Sequence, residues 1–171
     1  MKRLTILRHA KSSWDDRQLE DFNRPLNDRG WKSARRMGRE LEERGMRFDL
    51  VIASPAARVR ETIDGLREKF PLNIEIRFEP RMYAASEDML LSIVRDIREG
   101  SHSPLLVGHN PGLQQLVVAL TQNDPDDLRS EVERKFPTAA LASIELSAHR
   151  WTDVKPGSGK ITELILPRKL D

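Results

Sequence analysis

Three short, unbroken apolar runs constrain this chain more than any other feature. Leu4-Thr5-Ile6-Leu7, Leu50-Val51-Ile52-Ala53 and Leu105-Leu106-Val107 hold a single polar side chain between them. A strand with one wet face alternates apolar and polar residues, whereas a strand covered on both faces does not. Each run gives way to polar turn residues and then to a stretch with helical apolar spacing. Alternating strand and helix of this kind folds as a mostly parallel sheet with helices on both faces.

The turn and cap residues refine that expectation. After a strand over 3–8, residues 10–26 are polar and irregular, a length that suits a functional loop. Asn27 or Asp28 caps a helix over 28–45 that stops at Gly45. Beyond the strand at 49–53, Ser54-Pro55 offers an N-cap and a proline at the first helical position, opening a helix that runs to Phe70. Ile74, Ile76 and Phe78 alternate in a third strand. Ser86 caps a helix to Arg98, with Leu90, Ile93, Val94 and Ile97 on its apolar face. After the strand at 105–107, Asn110 or Pro111 opens a helix to Leu120. Asp124-Pro125-Asp126-Asp127 starts another acidic-capped segment that ends near Pro137. Residues 139–147 and 160–166 read as strands joined through the turn Lys155-Pro156-Gly157-Ser158-Gly159, an antiparallel hairpin. The expected fold is one α/β domain over 1–171. It is a three-layer sandwich whose central sheet is mostly parallel, with helices on both faces and antiparallel strand at the C-terminal end.

Composition narrows the function classes. A chain of 171 residues with 33% charged and 38% hydrophobic residues suits one soluble globular core. With no cysteine there is no disulfide, thiolate nucleophile or cysteine zinc site. No apolar run is long enough to span a bilayer, and the chain opens on a strand without a targeting segment. A cytoplasmic protein with no membrane partner is therefore expected. The net charge of +2, with acids and bases interspersed, argues against nucleic acid as a partner. Arg35, Arg36 and Arg39 are interrupted by Glu40, Glu42 and Glu43, as on a solvated helix face.

The chemistry gathers at three strand-to-helix junctions: Arg8-His9, Ser54 through Thr62 with Arg58 in the first helical turn, and His109-Asn110. Ligands of open α/β sheets bind at the carboxyl ends of strands. Two histidines, two arginines and a helix N-terminus at one edge would form a dianion pocket fitted to a phosphoryl group. His9 is the candidate nucleophile. Arg8 and Arg58 would disfavour its protonation, and a backbone carbonyl would hold its second ring nitrogen. His109 can donate to the transferring oxygens. No metal or other cofactor is needed, and a His9–His109 metal site lacks a third ligand. Blander roles compete: a structural strand-end histidine for His9, a surface ion pair for Arg58, and for Arg24 a loop salt bridge to Asp21 as readily as a pocket role. Arg60, His102 and His149 read as surface residues, Thr138 as structural, and Trp14 and Trp31 as covering the loop against the core.

Arg8-His9, the Ser54-Pro55…Arg58…Thr62 segment and Gly108-His109, in this order, resemble the histidine phosphatase, or phosphoglycerate-mutase-like, superfamily. Arg24-Pro25-Leu26 with Gly30, and Pro137-Thr138, resemble its short SixA-type branch, the phosphohistidine phosphatases. The likeness extends from Leu4 to about Leu146. It implies that His9 carries the phosphoryl group covalently, surrounded by Arg8, Arg58 and His109, with Arg24 a further pocket residue. Asn110, beside His109, is a second substrate-binding candidate. The chain departs from the superfamily in having Ala10 after the Arg-His pair. It also lacks a glutamate after the third strand, where Arg81-Met82-Tyr83-Ala84-Ala85-Ser86 stands. Glu79, Glu87 or water is left to supply a proton to the leaving group. A site without an acid suits a phosphohistidine on a signalling protein, whose leaving group is an imidazole, better than an alkyl phosphate ester. The alternatives are a general phosphatase of small phosphate esters and a non-catalytic phosphoprotein-binding module.

Overall fold

The computed structural model describes residues 1–125 and 127–170. Neighbouring residues of an extended strand point to opposite faces, and the apolar runs divide accordingly. From β1 (Lys2–Arg8), β2 (Leu50–Ala53) and β4 (Pro104–Gly108), the side chains of Leu4, Ile6, Leu50, Ile52 and Leu106 enter one core. Leu7, Val51, Ala53, Leu105 and Val107 enter a second. The first core is closed by α3 (Glu87–Arg95) and α4 (Gly112–Leu120), through Leu90, Ile93, Leu113 and Leu116. The second is closed by α1 (Asp28–Glu43) and α2 (Ala57–Arg67), through Met37, Leu41, Val59 and Ile63. Both faces of these strands are thus dry. Thr5, the one polar side chain in the runs, is satisfied by a 2.8 Å hydrogen bond to Ser143 on β5 (Leu141–Leu146).

With β3 (Ile76–Phe78) and β6 (Gly159–Ile165), the six strands lie in the order β3-β2-β4-β1-β5-β6. β3, β2, β4 and β1 are parallel, while β5 and β6 run antiparallel. The molecule is a single-domain, mixed α/β fold. Arg8 pairs in register with Gly108, and Ala53 with Val107, so β1, β2 and β4 end together at one edge of the sheet. Among the described residues no helix is long and apolar enough to cross a membrane.

Several boundaries differ from the sequence reading, for identifiable reasons. α2 starts at Ala57 rather than Pro55, and its N-cap Ala56 makes no side-chain bond. Ser54 Oγ accepts from Ala56 N–H and also bonds to His109. α1, α2 and α3 stop at Glu43, Arg67 and Arg95, before the residues that apolar spacing would include. Asn27 and Ser86 do cap α1 and α3, accepting from Gly30 and Met89. β5 and β6 do pair antiparallel as expected, and their connection also carries a 3-10 turn at Trp151–Asp153 that buries Trp151 in the first core. In the acidic segment, α5 (Asp127–Arg134) follows Asp126, which lies outside the described residues, as does Asp171.

Gly30 fixes the start of α1 against the chain leaving β1. A Cβ there would lie 2.1 Å from the Lys11 carbonyl oxygen, which also accepts from Asn27 N–H at 3.0 Å. Only glycine allows this approach without displacing backbone.

Candidate active site

The backbone of Arg8-His9 is clamped from both sides. His9 N–H donates to the Gly108 carbonyl at 3.0 Å. Ala139 N–H, just ahead of β5, reaches the carbonyls of Arg8 and His9 at 3.1 and 3.0 Å. Ala139 adopts φ +62° to do so, a left-handed conformation that costs an alanine about 1 kcal/mol or more. Beyond the clamp, Ala10 N–H donates to Thr62 Oγ1 at 2.9 Å, and Thr62 donates to the Arg58 carbonyl at 2.6 Å. One buried threonine therefore ties the residue after His9 to the first turn of α2, which carries Arg58.

The two imidazoles meet with ring centroids 5.3 Å apart. His9 Nδ1–H donates to the Ala10 carbonyl at 2.7 Å, since a carbonyl can only accept. The lone pair is thereby left on Nε2. His109 Nε2 shares a 2.8 Å hydrogen bond with Ser54 Oγ, and its Nδ1 is buried without a partner among the described residues. Ser54 Oγ also accepts from Ala56 N–H at 3.3 Å, and a hydroxyl with one proton and two lone pairs can serve either tautomer of His109.

Burial pushes the His9 pKa down to about 3, with His109, Arg58 and Arg8 acting in the same direction and the Ala10 hydrogen bond opposing. Burial, then Arg58, lowers His109 to about 4. Both rings are neutral at physiological pH.

Asp21, from the loop between β1 and α1, organises the charged wall. Arg58 donates to its carbonyl at 2.7 Å and to Oδ2 at 3.0 Å, and Arg24 donates to Oδ1 at 2.6 Å. Tyr83 donates its hydroxyl to Oδ2 at 2.6 Å, while its ring meets His109 edge-on at 5.6 Å and Phe22 at 5.1 Å. Tyr83, Arg24 and Arg58 hold the Asp21 carboxyl well below the usual carboxylate range, so it stays an anion. The pocket then sets three guanidinium charges against one carboxylate. Arg8 reaches the Phe136 carbonyl at 3.2 Å, and its buried Nε has no partner among the described residues.

His9, His109, Arg8 and Arg58 are brought together at the sheet edge. Arg24 forms the loop salt bridge to Asp21, and through that carboxylate it joins Arg58. Asn110 is occupied structurally, donating to Phe136 O at 2.8 Å and accepting from Gln114 N–H at 3.2 Å. Trp14 departs from expectation. It is 70% exposed and lies over the Arg24 guanidinium, 3.3 Å from the ring centroid, rather than on the core. Trp31 does pack beneath the loop, beside Ala10 and Leu26. Arg60 stays at the surface, on Pro55 O and the Phe78 ring.

Sequence reasoning missed Asp21 and Tyr83 as pocket residues and Ser54 as the partner of His109. The three-residue spacing of Asp21 and Arg24, and a lone tyrosine where a carboxylate was sought, were the available signals. Neither glutamate considered as a proton donor stands free in the cleft. Glu79 accepts from Arg81 N–H at 3.1 Å and from its guanidinium at 2.9 Å, which holds it below its ordinary pKa. Glu87 lines a recess with Gln114, Gln115 and Val118. Among the described residues no cluster of three His, Cys, Asp or Glu side chains could hold a metal.

The sequence profile of the histidine phosphatase superfamily (branch 1) matches residues 4–83. An uncharacterized protein of Mycobacterium tuberculosis is 29% identical over 95% of this chain and all of its own length. The phosphohistidine phosphatase SixA of Escherichia coli is 25% identical, over 82% of this chain and 83% of its own. A candidate SixA from Agrobacterium tumefaciens superposes with a TM-score of 0.81 at 29% identity, covering 97% of this chain and 98% of that one. A SixA histidine phosphatase complexed with tungstate shares the fold at 23% identity, with a TM-score of 0.80 and 99% of each chain covered. Profile, relatives and architecture agree with the two strand-end histidines in making the chain similar to the histidine phosphatase superfamily and to its SixA-type members.

Proposed function

We propose that this phosphatase hydrolyses phosphohistidine on a signalling or phosphorelay protein through a phosphoryl group carried on His9. The Nε2 lone pair of His9 attacks phosphorus as the bond from phosphorus to the substrate imidazole breaks. That imidazole leaves with the bonding electron pair and takes its proton from solvent. Water then attacks the phosphoryl group, the P–N bond to His9 breaks, and phosphate departs. Arg8 and Arg58 stabilise the equatorial oxygens, and His109 donates to them. Arg24 steadies Arg58 by way of Asp21.

The state of the carboxylates carries the choice of substrate. A poor alkoxide leaving group gains roughly 10²–10⁴-fold from a general acid. Asp21, the carboxylate of this cleft, is held as an anion by Tyr83 and two arginines, and the Tyr83 phenol is pushed up by the same contact. The carboxylate has no proton to give at neutral pH, and the phenol already donates its own to Asp21. An imidazole, with a pKa of about 6.5, is protonated by solvent without such help.

The test is kcat/KM for a phosphohistidine peptide, an aryl phosphate and glycerol phosphate. The first two should exceed the last by roughly 10²–10⁴-fold, the value of the absent acid. Equal rates on all three would favour a general small-molecule phosphatase. Undiminished turnover in a His9→Ala protein would rule out the covalent route.

A further inference from the structure

Beside the catalytic cleft lies a second feature that the phosphoryl chemistry does not use. A groove of about 410 Å³ is lined by Lys11, Arg29, Lys32, Arg36, Lys135 and Arg168, with no carboxylate among its lining residues. It begins at the rim of the cleft. Lys11 stands two residues beyond His9, and the lining residues Pro137 and Thr138 follow Phe136, whose carbonyl receives Arg8 and Asn110.

Several surface arginines elsewhere are matched. Arg3, Arg44, Arg81, Arg98 and Arg129 each pair with a carboxylate. In the groove, Lys11, Arg29, Lys32, Lys135 and Arg168 are exposed and pair with no carboxylate among the described residues. Glu131, in the recess that continues past Lys135 and Arg168, is taken by Lys169 at 3.7 Å. For a chain of net charge +2, this is a strong local concentration of one sign.

We infer that this groove docks an acidic face of the phosphohistidine-bearing protein and so presents its phosphoryl group to His9, an inference that rests on the function proposed above. The groove lining favours a protein over other polyanions. It contains no aromatic side chain on which a base could stack, as single-stranded nucleic acid requires. It is built from long exposed side chains contributed by four segments, the 10–26 loop, α1, the α5–β5 connection and the turn at Pro167–Lys169. Such a rim steers a charged partner and selects against mismatched ones, rather than enclosing a small ligand.

The probes are two synthetic phosphohistidine peptides, one flanked by Asp and Glu and one by Asn and Gln, together with phosphoramidate. The acidic peptide should show about tenfold higher kcat/KM in low salt, an advantage that shrinks as salt screens the groove. The R29E/K32E double variant, altered only on exposed positions of α1, should erase that advantage and leave phosphoramidate turnover unchanged. The unphosphorylated acidic peptide should bind the unmodified protein and not R29E/K32E, a readout that holds whether or not phosphohistidine is hydrolysed. Equal kcat/KM for the two peptides, or no loss of peptide binding in R29E/K32E, would overturn the inference. So would tighter binding of a short RNA or of inorganic polyphosphate than of the acidic peptide.

Discussion

Burial of the His9 ring makes folding sensitive to acid in a way that a conservative substitution should remove. In the unfolded chain the imidazole titrates at its ordinary 6.5, and in the folded protein only at about 3. His9 is 7% exposed, so solvent does little to offset the burial. Between those two values the unfolded state binds a proton that the folded state refuses. Stability contributed by neutral His9 is complete above 6.5 and declines as pH falls toward 3. At pH 5, a point 1.5 below the unfolded value, the penalty is about 2 kcal/mol at 1.36 kcal/mol per unit. His9→Asn removes the titration while keeping an amide N–H that can reach the Ala10 carbonyl. Urea unfolding at pH 8 and pH 5 should therefore show a pH-induced loss about 2 kcal/mol smaller in His9→Asn than in the unmodified protein. Titrations elsewhere are common to both proteins and cancel in the double difference. Equal losses would refute the reasoning, because His9 would then protonate as readily folded as unfolded. The functional corollary is large: at pH 5 an ordinary imidazole is about 3% neutral, whereas His9 remains almost entirely so.

Two further outcomes follow from the network around the pair. Tyr83 is the only tyrosine in the chain, so its phenol can be titrated by absorbance without overlap. Asp21→Asn should bring that ionisation down toward its ordinary position, because the raised value comes from the hydrogen bond to Asp21; an unchanged titration would contradict the contact. Thr62→Val keeps the side-chain volume but strands the buried Ala10 N–H, at a cost of about 1–3 kcal/mol in denaturant unfolding. A loss well below that would show that Thr62 does not bear the link between the His9 strand end and Arg58.

The placement of the reactive groups was legible because it depends on topology. Runs such as Leu50–Ala53, buried on both sides, report a covered parallel sheet, and residues following such strands must gather at one edge. That logic found Arg8, His9, Arg58 and His109 together. What it could not see depends on how a loop folds back. Asp21 lies in an irregular segment with no periodicity to place it, and its contact with Tyr83 joins residues sixty-two apart. Ser54 misled for a related reason. A serine before a proline is a good N-cap by local rules, yet its hydroxyl, besides accepting from Ala56 N–H, bonds to a histidine fifty-five residues away. Trp14 shows the same limit, since a cation–π contact with Arg24 holds an indole at the surface that hydrophobicity alone would send inward. Helix ends were overextended where apolar spacing continued past the last regular turn, as at Ile97 after α3.

The central claim is that the Nε2 lone pair of His9 receives the phosphoryl group. Single-turnover reaction with labelled phosphoramidate, quenched in alkaline denaturant and followed by peptide mapping, tests it most directly. The account predicts stoichiometric label on the peptide containing His9, stable in base and lost in acid, and no label in His9→Asn. Continued turnover with no label on His9 would contradict it and point to direct attack by water.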